Sequence, residues 1–284
     1  MPRFSPQDAE LRRFIEAYWI LDARHGLVLS PEPVHTFPSL AAEVVLGLRG
    51  ELGLHYHGRR IAVRESVAFG YIDGRLTVDA RGVGRAVVVT LQARGLAALA
   101  PFTEVPLPMF ANEAVVPAKD LFGEALAPLE QHLATCALDR IAPILDAWLR
   151  ARLDARRAGV VAEVAPLLQP DTTVTDLTRL TGLSFSTLAR HFRTACGLTP
   201  KRYLRRHRFR HVLDALPSRP VTATATATDW LDFVTRFGYY DQSHLIRDVR
   251  HFTGLTPTAL HALATAPLVG DDAQGQAVTK IYKA

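Results

Sequence analysis

Two short runs of hydrogen-bonding side chains near the C-terminal end carry the chemistry of this chain. Ser184, Ser186, Thr187, Arg190 and Arg193 make up one, and Asp241, Gln242, Ser243, His244, Arg247 and Arg250 the other. Spacings of three and four residues bring such groups to one face of a helix. Guanidinium groups there suit the O6 and N7 of guanine or a phosphate, and the short hydroxyls and amides suit base edges and backbone at closer range.

The two runs belong to a repeat. Ser184 to Arg193, ending in Gly197-Leu198-Thr199-Pro200, recurs 57 residues later as Asp241 to Arg250, ending in Gly254-Leu255-Thr256-Pro257. Each copy predicts the same elements. An apolar helix comes first, with Val174, Leu177 and Leu180, or Trp230, Phe233, Val234 and Phe237. Gly182 or Gly238 stands where a helix end takes a left-handed residue. Ser184 or Asp241 stands at the N-cap of the next helix. That helix buries Leu188 and Phe192, or Leu245 and Val249, and turns its polar side outward. The Gly-x-Thr-Pro tail closes the unit, because proline cannot continue a helix. Helix, short turn and helix with an arginine-bearing outer face is a helix-turn-helix, and its second helix is the one that enters a major groove. A single apolar helix carrying an arginine is ordinary; two copies in register are not.

Residues 172–262 resemble the DNA-binding domain of AraC/XylS-type transcription regulators. The matching signature is Gly238-Tyr239-Tyr240-Asp241-Gln242-Ser243-His244-Leu245, followed by Gly254-Leu255-Thr256-Pro257. The resemblance implies units at about 172–200 and 229–257 joined by a rigid helix at about 201–216, with the recognition helices in successive major grooves of double-stranded DNA. Two departures stand out: Val249, where the family usually carries Phe, and the Ala-Thr run from Ala223 to Thr228 before the second unit. In the joining segment, Tyr203, Leu204, His207, Val212 and Leu216 suit a buried stripe. Lys201, Arg202 and Arg205 are the phosphate candidates.

Charge follows the same division. Residues 1–155 hold 16 Lys/Arg against 18 Asp/Glu, whereas residues 156–266 hold 15 against 8. The basic part is the part with the repeat, as phosphate contact requires. The chain of 284 residues suggests about two domains. No signal-like start and no apolar run of ~20 residues is present, so cytoplasm is the expected compartment, without a membrane partner. The only cysteines are Cys136, expected on an amphipathic helix, and Cys196, expected at a turn; they suggest packing rather than a disulfide.

Ahead of the repeat, Pro6 to Ile20 predicts an opening helix through Leu11, Phe14, Ile15 and Tyr18. Runs at 42–48, 51–57, 60–67 and 85–91 predict short strands, with turn signals at Arg49-Gly50, Gly58-Arg59, Asp73-Gly74 and Gly82. Several such strands suggest a small barrel or sandwich. Helical spacing returns at 121–135 and 141–155. This region more distantly resembles the sensor domain before some AraC-type domains, on the segment Leu11 to Trp19, on Pro38-Ser39-Leu40 and on the paired helices. The resemblance implies a cupin-type, β-barrel-like domain that binds a small-molecule effector or dimerises.

The expected class is therefore α+β. Residues 1–155 form a β-rich sensor or dimerisation domain with flanking helices, 156–266 an all-α double helix-turn-helix, and 267–284 a flexible tail. No cofactor is expected. His55 and His57 share a strand face, and with Glu65 or His35 they raise the alternative of a metal-dependent cupin-like enzyme fused to a DNA-binding module. Phosphate loops, Gly-x-Ser-x-Gly elbows and His-Glu-x-x-His are absent from the sequence. RNA polymerase is an implied partner if the protein activates. Operator, effector, sign of regulation and dimerisation stay open.

Overall fold

Val44-Val45-Leu46 and Val87-Val88-Val89 are apolar without alternation because the strands that carry them are covered on both faces. In the computed structural model, which describes residues 3–27, 34–36, 40–56, 58–71, 74–99, 115–216, 230–265 and 281–282, these strands lie at the centre of the N-terminal region. In chain order the strands are β1 (Arg3–Phe4), β2 (Ile15–Asp22), β3 (Val34–Thr36), β4 (Ala42–Gly50), β5 (Leu52–Tyr56), β6 (Arg59–Val63), β7 (Val67–Phe69), β8 (Leu76–Asp79), β9 (Val83–Leu91), β10 (Val115–Pro117) and β11 (Ile281–Tyr282). One sheet has the order β1-β2-β9-β4-β7-β10, the other β11-β3-β8-β5-β6. All pairings are antiparallel except β11 with β3.

The sheets pack face to face through Leu21, Val45, Phe69 and Ala86 of the first and Leu52, Leu54, Val63 and Leu76 of the second. The other face of the first sheet carries Tyr18, Ile20, Val44, Leu46, Val87 and Val89. It is covered by α1 (Gly95–Leu99), α2 (Ala118–Phe122), α3 (Leu126–Thr135) and α4 (Leu138–Arg150). The class is thus α+β, as the strand and helix patterns predicted.

The opening helix expected over Pro6–Ile20 is instead one 3-10 turn, Leu11–Arg13, followed by strand β2. Leu11, Phe14, Ile15 and Tyr18 are all buried. β2, however, buries residues on both faces, Tyr18 and Ile20 toward the helices and Leu21 between the sheets. Two-sided burial imitates a helical stripe in the sequence, while Ile15, Tyr18, Trp19 and Ile20 are side chains that favour strands. The run expected over 60–67 divides into β6 and β7 because the chain changes sheets there, β6 pairing with β5 and β7 with β4.

The helical region holds α5 (Gly159–Val164), α6 (Val174–Thr181), α7 (Phe185–Cys196), α8 (Pro200–Ala215), α9 (Trp230–Arg236), α10 (Gln242–Thr253) and α11 (Pro257–Thr265). Its caps follow the repeat. Thr173 and Asp176 form a capping box on α6, and Gly182 ends that helix at φ 68°. Ser184 accepts from the Thr187 amide and Asp241 from the His244 amide. Gly197 and Gly254 end α7 and α10 in the left-handed region. Thr199-Pro200 does more than close the first unit, since Thr199 caps α8 and Pro200 is its first residue. Cys196 lies in the last turn of α7, fully buried, rather than in a turn outside it. Cys136 follows α3 and is half-buried. The Ala-Thr run at 223–228, Pro38, Ser39, His57, Asp73 and most of the expected tail lie outside the described residues; of that tail, Ile281–Tyr282 pairs beside β3.

Candidate nucleic-acid interface

Each second helix is fixed by its apolar side. Leu188, Phe192, Leu245 and Val249 are all fully buried, so burial against the preceding helix decides which side chains remain outside. Val249, shorter than the aromatic the resemblance implies, is still enclosed, beside Phe209 and Phe252 stacked at 4.7 Å. On α7, Ser186, Arg190 and Arg193 are exposed and Thr187 is half-buried; on α10, Gln242, Ser243, Arg247 and Arg250 are exposed and His244 is half-buried.

The side chains of Arg190, Arg193, Lys201 and Arg250 have no carboxylate or other hydrogen-bond partner among the described residues. Arg247 bonds only its own helix, donating from Nε to the Ser243 carbonyl at 3.3 Å. Cations left unneutralised on two symmetry-like faces are free to meet phosphates or guanine edges. Ser184 and Asp241 sit at the same ends but spend their oxygens on the caps, and the Ser184 hydroxyl also meets the Ser186 and Thr187 hydroxyls at 3.1 and 3.0 Å.

The joining helix divides its arginines. Lys201 is exposed and Arg202 half-buried near the N-terminus of α8, the side of the first unit. Arg205, a phosphate candidate in the sequence, grips Asp248 of α10 with Nε at 2.9 Å. Arg208 donates to the Pro170 carbonyl at 3.1 Å and lies over the Tyr239 ring. Arg206 is buried. Of the expected stripe, Tyr203, Leu204, Val212 and Leu216 are buried and His207 is half-buried, with Phe209 added to it. Composition alone shows many arginines here; which of them face inward depends on contacts from distant segments.

Of the metal candidates, His57 lies outside the described residues, His55 is exposed, and His35 Nδ1 bonds the Thr77 hydroxyl at 2.9 Å. Among the described residues no group of three His, Cys, Asp or Glu is placed to hold a metal ion. Burial pushes the Cys196 thiol up to about 12, which suits an inert packing group. Among those residues no helix is long and apolar enough to cross a membrane.

Between the two sheets lies a narrow cavity of about 60 Å³ lined by Leu21, Val45, Leu54, Phe69 and Val88, with Glu43 and Thr36 as its polar members. Burial first, and the neighbouring Glu16 second, push the Glu43 carboxyl up to about 7.

Two helix pairs, each with a capped outer helix that carries free cations, define a double helix-turn-helix protein. Residues 177–262 match the family described as "Helix-turn-helix domain", and this segment is a helix-turn-helix domain of the AraC type. No curated protein matches the chain. Among solved structures, an apo ToxT variant from Vibrio cholerae is 8% identical, covers 87% of this chain and 96% of its own, and has a TM-score of 0.42. ToxT from Vibrio cholerae bound to (E)-4-(8-methylnaphthalen-1-yl)but-3-enoic acid is 7% identical, covers 87% and 98%, and has a TM-score of 0.41. ToxT from the same organism bound to an unsaturated fatty acid is 7% identical, covers 86% and 93%, and has a TM-score of 0.38.

Proposed function

We propose that the protein is an AraC/XylS-type transcription regulator that grips double-stranded DNA with α7 and α10 in successive major grooves. The observation that supports this reading is the set of unneutralised cations, Arg190 and Arg193 on one helix and Arg250 on the other, at repeat-related positions of a helix-turn-helix domain. Ser186, Thr187, Gln242, Ser243 and His244 supply the shorter contacts, Arg190 and Arg247 the reach to base edges, and Lys201 and Arg202 the grip on phosphate. The N-terminal region, through 155, is the sensing part, and 156–266 the DNA-binding part.

An effector in the sensing part would enter the cavity between the sheets. At about 60 Å³ the cavity is below the ~300–1,000 Å³ of a typical ligand pocket, so binding would part the two sheets. RNA polymerase contact goes with activation, and a homodimer would double the number of recognition helices on the DNA. Selected-site sequencing with the full chain tests the reading. It should return two conserved blocks centred about one helical turn, ~34 Å, apart. Enrichment of no sequence over the starting pool would overturn it.

A further inference from the structure

Arg206, on the joining helix, is the largest of the fully buried side chains among the described residues, with 2% of its surface exposed. An arginine stays charged, so its removal from water is costly unless its donors are met. Its Nη2 donates to the backbone carbonyl of Tyr71 at 3.0 Å, across 135 positions of sequence. Its guanidinium carbon lies 5.9 Å from the ring centroids of both Tyr71 and Phe252.

Those two rings belong to different parts of the molecule. Tyr71 comes from the N-terminal region, just after β7, yet its side chain is buried in the core of the first unit with Leu177, Leu188 and Phe192. Its hydroxyl donates to the Ala93 carbonyl at 2.7 Å, which anchors it to the end of β9. Phe252 belongs to α10, the second outer helix. Tyr71 therefore enters the core of the first unit, beside Ala93, and through Arg206 reaches the outer helix of the second. Further ties between the regions include Arg94 Nη1 to the Ala162 carbonyl at 3.1 Å and Arg210 to Glu16 at 3.7 Å, with Arg94, Glu16 and Arg210 lining an open cleft.

We propose that Arg206, seated on the Tyr71 carbonyl, is the positioning residue that fixes the placement of α7 relative to α10, so that the N-terminal region controls half-site spacing by holding the joining helix. The proposal rests on the reading of these two helices as the DNA-reading pair. A planar fork suits the seat because it can donate along its edge and still offer a face to aromatic rings; an ammonium group has no such face.

The test measures the distance between the two helices in the full chain without DNA, so it stands apart from the DNA-reading itself. Spin labels go on Ser186→Cys and Ser243→Cys in a Cys136→Ser background, Cys196 being buried. The expected result is one narrow distance distribution in this background, widened at least twofold by Arg206→Met. Arg206→Lys, which keeps the charge and loses the fork, should fall between, and Arg210→Ala at the cleft edge should leave the width unchanged. The same width and mean in folded Arg206→Met overturns the proposal, as does equal widening by Arg210→Ala. If Arg206→Met fails to fold, an unwidened distribution in Arg206→Lys overturns it.

Discussion

Arg205 on the joining helix holds one carboxylate oxygen of Asp248 on the second outer helix with both Nε and Nη2, each at 2.9 Å. The Asp248 side chain is 1% exposed and that of Arg205 38%. Removing the arginine would strand a buried carboxylate. Arg205→Ala should therefore cost about 2–3 kcal/mol of stability, less than a fully buried pair because the arginine is partly in water. Urea melts of the full chain measure it. The salt dependence of DNA binding should stay as in the wild type, whereas Arg202→Ala should lower its slope by about one. Wild-type stability together with a shallower slope in Arg205→Ala would assign that arginine to phosphate instead.

Arg190 and Arg247 occupy equivalent places on α7 and α10, in the second turn of each helix. Arg190→Ala should cost about 1–3 kcal/mol at the cognate site and relax preference at one position of one half-site. Arg247→Ala should act about one helical turn away on the DNA. Selected-site sequencing of wild type and both variants measures this, and unchanged base preference in both removes them as readers.

Two half-buried groups, His207 and Glu43, should give opposite pH effects. Burial first, then His211, Arg210 and Arg208, pull the His207 imidazole down to about 4. The unfolded chain takes its proton near pH 6.5, so stability is full above that value and falls as pH drops toward 4, by about 2 kcal/mol. Glu43 is pushed up to about 7, so its neutral form suits the fold and stability rises as pH falls from 7 toward about 4.3. The wild-type melt thus hides both. His207→Gln should gain relative stability on acidification to pH 4.5, and Glu43→Gln should gain it on return to neutral pH. Parallel curves for wild type and both variants would contradict the assignment.

The two turn glycines should differ although the repeat equates them. Gly182 has φ 68° and open space where a Cβ would stand, so Gly182→Ala should cost only the ~1–2 kcal/mol of a left-handed non-glycine residue. Gly238 has φ 67°, and a Cβ there would lie 2.5 Å from Asp171 Cβ and 2.8 Å from its Cα. Gly238→Ala should cost more, roughly 3 kcal/mol or above, because backbone must move as well. Thermal melts of the two variants give the order, and equal losses would contradict it.

Much of the second half could be read without coordinates because its determinants are local. Caps at Ser184 and Asp241, left-handed glycines at 182 and 238, and apolar spacing through Leu188, Phe192, Leu245 and Val249 act within a few residues of one another, and a duplication repeats them. The outer faces follow directly, since a helix that buries one stripe must expose the other. The first half was legible only as short β-rich runs. Its strand β2 is covered on both faces, which removes the period-two signal and leaves a pattern that reads as helical. Charge could be counted from the sequence but not sorted: Arg190, Arg205 and Arg206 are the same residue type on helices of similar pattern. Only the tertiary structure left the first without a partner, seated the second on Asp248 and buried the third against the Tyr71 carbonyl, because burial of a charge depends on acceptors that lie far away in the chain.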